Sequence, residues 1–354
     1  MQEQASIIGN RQEQEEKNPI DDLLKRAGKD KVIDAVVKGE AGQSFGEDDF
    51  FQRFVPCAEA EKLIRNLTNY SHLNEEKKFI NNLISTNALL AVAYNLLGRR
   101  KEGKEVLAAV ENKLVRFKYF VSSDTVLAIH TARDTGLMPA DASLVSVSDN
   151  AILAFAYSAF GRKEDAKKLI KGIEEEIGFE HKAGELGMLV NPVNDDINND
   201  ADIRTMDNAL LTLAYLGVKE DLGKFRPLQI IRGIATKLPY DKETGLFGEG
   251  VTESNAALAI ACIAYEPKNQ IAMASGKDRN LGSDLIRSIE THIGFDKETG
   301  LVYMEKDDNV KCVNGTILLA LGYMARTYDQ RIRLKKIADE VLEETKRLRM
   351  LRRK

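Results

Sequence analysis

Five stretches of this chain are apolar on nearly every face, and each follows a short polar signature ending in asparagine. The signatures are Ser85-Thr86-Asn87-Ala88, Ser148-Asp149-Asn150-Ala151, Met206-Asp207-Asn208-Ala209, Glu253-Ser254-Asn255-Ala256 and Cys312-Val313-Asn314-Gly315. Runs such as Ala88-Leu-Leu-Ala-Val-Ala-Tyr94 and Ala151-Ile-Leu-Ala-Phe-Ala-Tyr157 carry no polar stripe. A helix that is apolar all round has to be buried all round, so the rest of the chain must surround these five. The pattern predicts an all-α repeat protein with one continuous core.

Each run is followed by a segment with one wet face. Arg100 to Lys113, Lys163 to Glu176, Leu281 to His292 and Gln330 to Arg347 mix charged and apolar residues at helical spacing. A third element recurs as Phe179-Glu-His-Lys-Ala-Gly184, Tyr240-Asp-Lys-Glu-Thr-Gly245-Leu246 and Phe295-Asp-Lys-Glu-Thr-Gly300-Leu301. An aromatic, charged residues and a glycine predict a tight turn or short β-hairpin, the glycine supplying positive φ. Successive signature asparagines lie 63, 58, 47 and 59 residues apart. Those periods are too long for tetratricopeptide repeats, which recur at about 34 residues, although Ala93-Tyr94-Asn-Leu-Leu-Gly98 is phrased like one.

These features resemble the (α/α)6 toroid enzymes of the six-hairpin glycosidase-like superfamily. The resemblance rests on Asp149-Asn150 and Asp207-Asn208 at helix starts, and on the two Asp-Lys-Glu-Thr-Gly-Leu turns, over roughly residues 80 to 348. It implies an (α/α)n toroid of helical hairpins, five clear repeats and a sixth from the N-terminal third, joined by short β-turn hairpins. The sixth would draw on Pro19 to Lys38 and Cys57 to Thr68. Residues 1–18 are expected as a flexible polar tail and 19–354 as one toroid domain.

Composition excludes several classes. The formal net charge of −4 gives no global field for nucleic acid or an anionic membrane. No apolar run is long enough to span a bilayer. The three cysteines, Cys57, Cys262 and Cys312, form no CxxC pair, and Met1 to Asn18 lacks the pattern of a signal peptide. Both point to a cytoplasmic protein with no resident cofactor. The basic end, Lys346 to Lys354, is expected as a solvated helix terminus.

The asparagine recurs in all five signatures, so its expected work is N-capping and hairpin locking. The acids that occur in only some repeats are the catalytic candidates. The resemblance implies that Asp149 and Asp207 face a central cavity as acid and base on a glycosidic bond or an unsaturated sugar. Glu253, Asp202, Arg204 and Tyr240 would bind substrate around them. The same two aspartates also suit N-capping, and both readings stand. Asp196, Asn198, Asp200, Asp202 and Asp207 half-match a calcium loop, but Ala201 replaces its glycine and Asp207 its glutamate. The resemblance also offers His130 and His181 as an epimerase-like pair. The absence of tryptophan and 6% aromatic content speak against a sugar cleft. The competing reading is a non-catalytic helical scaffold or binding protein.

Overall fold

A computed structural model describes residues 50–70, 84–113, 115–117, 127–129, 147–176, 205–218, 227, 230–231, 233–234, 239–248, 250–265 and 281–351. Gly46–Asp329 forms one compact unit, and Gln330–Lys354 belongs with Met1–Phe45 to a second. A 3-10 turn, Phe50–Arg53, leads to nine helices among the described residues. They are α1 (Ala58–Tyr70), α2 (Ile84–Leu96), α3 (Arg100–Lys113), α4 (Val147–Ala159), α5 (Lys163–Glu176), α6 (Thr205–Val218), α7 (Thr252–Tyr265), α8 (Leu281–Ser288) and α9 (Val313–Leu351). A π-helical turn, Ile289–Ile293, extends α8. An antiparallel ribbon pairs β1 (Val115–Phe117) with β2 (Leu127–Ile129), Arg116 opposite Ala128. The described fold is all-α in class, as the apolar runs require.

The five apolar runs are α2, α4, α6, α7 and the start of α9. Every residue from Ile84 to Tyr94 in α2 is buried, as is nearly all of α6. In sequence order α2 packs on α4, α4 on α6, and α6 on α7. Gly322 of α9 approaches Ile260 of α7, and Gly315 approaches Thr252 at the start of the same helix. The first and last of the five are tied directly, since Thr86 Oγ1 donates to Asn314 Oδ1 at 2.6 Å.

The covering helices share a stripe that the repeat reading did not isolate. A small residue is followed at three, four and seven places by buried aliphatics. The stripe reads Ala60, Leu63, Ile64, Leu67 in α1, then Gly103, Val106, Leu107, Val110 in α3, and Ala166, Leu169, Ile170, Ile173 in α5. Pro227, Ile230, Ile231 and Ile234 repeat it, and Gly282, Leu285, Ile286 and Ile289 complete the set. This is the apolar face of an amphipathic helix, and the small residue lets backbones approach. A Cβ on Gly103 would fall 2.7 Å from the Ala91 carbonyl, and one on Gly282 2.6 Å from that of Ala259.

The covering helices pack chiefly on the buried helix before them, α3 on α2, α5 on α4 and α8 on α7, and a tyrosine of the next buried helix ties back to each. Tyr157 near the end of α4 donates to Glu111 of α3 at 3.0 Å, and Tyr215 of α6 donates to Glu174 of α5 at 2.5 Å. Each acid lies eight residues past the small residue of its stripe, and Glu290, which hydrogen-bonds Tyr323 of α9, does the same. Beyond α2 and α4 the chain turns at Gly98 (φ 81°) and Gly161 (φ 83°). There Arg99 and Arg162 donate back to Tyr94 and Tyr157 carbonyls, each at 2.8 Å. This is the helix stop that needs a left-handed glycine. The same arginines lie over the Tyr94 and Tyr157 rings, 4.3 and 4.2 Å from the centroids.

Near these helix ends sits an aromatic plug. Phe51 stacks 5.4 Å from Phe155 of α4, Phe50 meets it edge-on, and Phe51 also borders Gly217 of α6. Val55 N–H donates to the Met324 carbonyl of α9 at 3.2 Å. One short segment therefore touches α4 and α6 late in their course and α9 at the far end of its buried run. In the second unit, Lys346 and Arg347 pair with Glu343 and Glu344 of their own helix, each at 2.8 Å, as a solvated helix end would.

Gly282→Ala is expected to cost about 1–3 kcal/mol, because its Cβ meets a carbonyl oxygen and the Ile263 side chain. Ser158→Ala is expected to be neutral or stabilising, since the buried Ser158 hydroxyl finds no hydrogen-bond partner among the described residues. Equilibrium denaturation of both variants checks the pair.

Candidate functional site

The helix starts share one register. Asn87, Asn150, Asn208 and Asn255 each stand three residues beyond the first residue of their helix. That places them inside the first turn, so the expectation of N-capping is corrected. Asn255 shows the work done instead. Its Oδ1 accepts Phe247 N–H at 2.8 Å, while its Nδ2 donates to the Phe247 and Val251 carbonyls at 3.1 and 3.0 Å. A helix buried on all sides cannot rely on water for the backbone leading into it. Asn255 meets that need by locking the preceding turn onto α7.

The two described turns have the predicted form, and the third, Phe179 to Gly184, lies outside the described residues. Gly245 and Gly300 adopt φ of 73° and 69°. Bridges join Tyr240 to Phe247 and Phe295 to Val302. Asp241 accepts from Thr244 Oγ1 at 2.7 Å, and Asp296 from Thr299. The threonine hydroxyl holds the Asp241 carboxyl below its ordinary value, and the Asp296 carboxyl well below it.

In α9 the register corrects the fifth signature. Thr316, not Asn314, stands three residues into the helix. Thr316 Oγ1 donates to the Cys312 carbonyl at 2.7 Å and accepts Val302 N–H at 3.3 Å. It thus does for the Phe295–Val302 turn what Asn255 does for Tyr240–Phe247. Asn314 instead occupies the place that Glu253 holds in α7, two residues ahead of the lock.

The acids come to the helix starts as their spacing implied. Asp149 and Asp207 are the third residues of α4 and α6, neighbouring helices, and each is only 6% exposed. Glu253 is the second residue of α7 and is half-buried. Burial pushes its carboxyl above the ordinary range, against the opposing effect of donors from Cys312 and Asn314. The Cys312 thiol lies 3.4 Å from Glu253 Oε1. Thr86, Asn314, Cys312 and Glu253 therefore form one polar cluster joining α2, α9 and α7. The sequence reading missed Thr86, Asn314 and Cys312 as its members. The signal available was the two-residue offset that sets Asn314 beside Glu253 in register.

Tyr240 is 44% exposed, with its ring 4.9 Å from the buried Phe247 ring, on the turn that Asn255 locks. Asp202, Arg204, His130, His181 and the 196–204 part of the calcium-like loop lie outside the described residues. Among the described residues no group of three His, Cys, Asp or Glu side chains is placed to hold a metal ion. No family model, curated protein or solved structure matches this chain.

Asn255→Ala leaves the buried Phe247 N–H without its acceptor and is expected to cost about 1–3 kcal/mol, read by denaturation. Glu253 has a pH signature of definite sign. Its folded carboxyl titrates above the unfolded one, so its stabilising effect is complete below the unfolded value and is lost as pH rises through the folded one. Glu253→Gln should therefore gain stability relative to the parent chain on going from acid to neutral pH. Equal pH slopes for the two proteins would refute the assignment.

Proposed function

We propose that this chain is an α/α ring enzyme of the glycoside-hydrolase kind, acting on a carbohydrate at the start of its buried helices. The observation that carries this reading is positional. Asp149, Asp207 and Glu253 stand in the first turns of three successive buried helices, away from the Phe50–Phe54 plug near their other ends. Carboxyl groups so placed can share acid and base work when their environments differ. Burial equips Glu253 to retain a proton and act as donor to the leaving oxygen. One of Asp149 and Asp207 takes the opposite role, removing a proton from the water that attacks the anomeric carbon as the bond to the leaving oxygen breaks. Tyr240 offers an exposed ring face for a sugar, and Asp202 and Arg204 lie just ahead of α6 in sequence.

A closed ring of five pairs, rather than the six of the resembling family, is the architecture this reading adopts. Two relations support it. The first is the Thr86–Asn314 bond between the first and last buried helices. The second is that a Cβ on Gly245, in the turn before α7, would meet Ser288 of α8, and one on Gly300, in the turn before α9, would meet Asn66 of α1. Ser288 and Asn66 both lie six residues past the small residue of their stripes. The turn before α9 thus meets α1 as the turn before α7 meets α8, with α1 standing next in the circle.

No helix among the described residues is long and apolar enough to cross a membrane. The proposal places the enzyme in the cytoplasm, with a small sugar or oligosaccharide as ligand and neither nucleic acid nor membrane as partner. A second reading, a non-catalytic scaffold, draws on how far polar side chains at the helix starts bond one another, as Thr86 does Asn314 and Cys312 does Glu253. An aryl-glycoside panel separates the two. The hydrolase reading expects turnover that falls at least about 100-fold in Glu253→Gln and in one of Asp149→Asn and Asp207→Asn. No turnover across the panel, or turnover untouched by all three substitutions, overturns it.

A further inference from the structure

We infer that Cys312 is a positioning residue, its thiol holding the Glu253 carboxyl in a fixed orientation through a donor chain that begins at Thr86. The inference rests on the reading above only in so far as Glu253 is taken to act on a substrate; the geometry of the chain stands by itself.

Cys312 is the residue immediately before α9, the position from which a side chain caps a helix. Its sulfur accepts the N–H of Gly315, the third helical residue, at 3.3 Å. The backbone N–H of Glu253 in α7 acts in the same direction on the thiol, lowering the pH at which it ionises. The sulfur thus takes up a free donor at the start of α9 while lying against the start of α7. With its acceptor capacity used in that way, the S–H proton is left to point at Glu253 Oε1, 3.4 Å away. Gly315 is part of the device, because a Cβ there would stand 2.6 Å from the sulfur.

From the other side, Thr86 Oγ1 donates to Asn314 Oδ1, and the Asn314 amide donates to Glu253. Asn314 Oδ1 is occupied as an acceptor, so the amide group is oriented with its N–H groups free to turn toward the carboxyl. Both branches run toward Glu253 as terminal acceptor. Thiol and amide are neutral, so they orient the carboxyl without the strong pull toward ionisation that a cation would exert. Burial raises the Glu253 carboxyl against the opposing effect of these two donors. A buried thiol at 1% exposure, its proton engaged, has a different task from nucleophilic attack, and burial together with the Glu253 charge raises its own ionisation well above the usual range.

The test is the titration of Glu253 in the full-length chain, followed by carbon NMR with labelled glutamate and assigned through Glu253→Gln. Cys312→Ala removes one donor and should move the Glu253 midpoint to higher pH; an unmoved midpoint in a folded variant overturns the inference. If the alanine variant fails to fold, Cys312→Ser decides. A hydroxyl keeps the donor, so a midpoint at or below that of the parent chain supports the relay and one above it overturns it. Activity separates this inference from the hydrolase reading. A shifted midpoint in a chain that cleaves no glycoside sinks the hydrolase and leaves the relay, whereas an unshifted midpoint in an active hydrolase sinks the relay alone.

Discussion

Backbone N–H and C=O groups near the start of a buried helix have no water to turn to, and this fold is organised around that fact. Asn255 answers it with three bonds to the turn in front of α7, and Thr316 with two in front of α9. The lock sets where the turn sits, and the turn sets which residues stand at the helix start. Two residues ahead of the lock come Glu253 and Asn314, and one residue ahead of the signature asparagine come Asp149 and Asp207. The candidate chemistry is thus placed by a structural requirement of the repeat rather than by a separate loop.

The covering helices solve the complementary problem of enclosing five apolar cylinders. They do so with a narrow stripe in which a small residue admits the neighbouring backbone and three aliphatics seal the contact. The tyrosine near the far end of a buried helix then ties back to an acid on the covering helix ahead of it, as Tyr157 does to Glu111. The Phe50–Phe54 segment occupies this far end, which leaves the acid-bearing end as the one available for a ligand under the proposed reading.

Much of this was legible in the letters. All-round apolarity marked the buried helices, and the two Asp-Lys-Glu-Thr-Gly-Leu phrases marked turns whose glycines do adopt positive φ. Counting from the asparagines set Asp149, Asp207 and Glu253 at comparable places. What escaped was disguised by chemical equivalence. Thr316 replaces an asparagine because a hydroxyl can also donate to one carbonyl and accept one N–H, so the letter Asn at 314 drew the alignment two residues off. The covering stripe escaped because alanine, glycine and proline all serve as its small residue. The tyrosine ties to the covering helix ahead escaped because periodicity along the chain does not show a contact between successive hairpins. Cys312 and Thr86 could not be found locally, since their partners lie 59 and 228 residues away.

Whether the first and last buried helices meet is measured most directly by a double-mutant cycle on Thr86→Val and Asn314→Ala. Each single change and the pair are unfolded in denaturant, and the non-additive part is the interaction across 228 residues of chain. A closed ring of five predicts a coupling of about 0.5–3 kcal/mol. Strict additivity, with both variants folded, would contradict it.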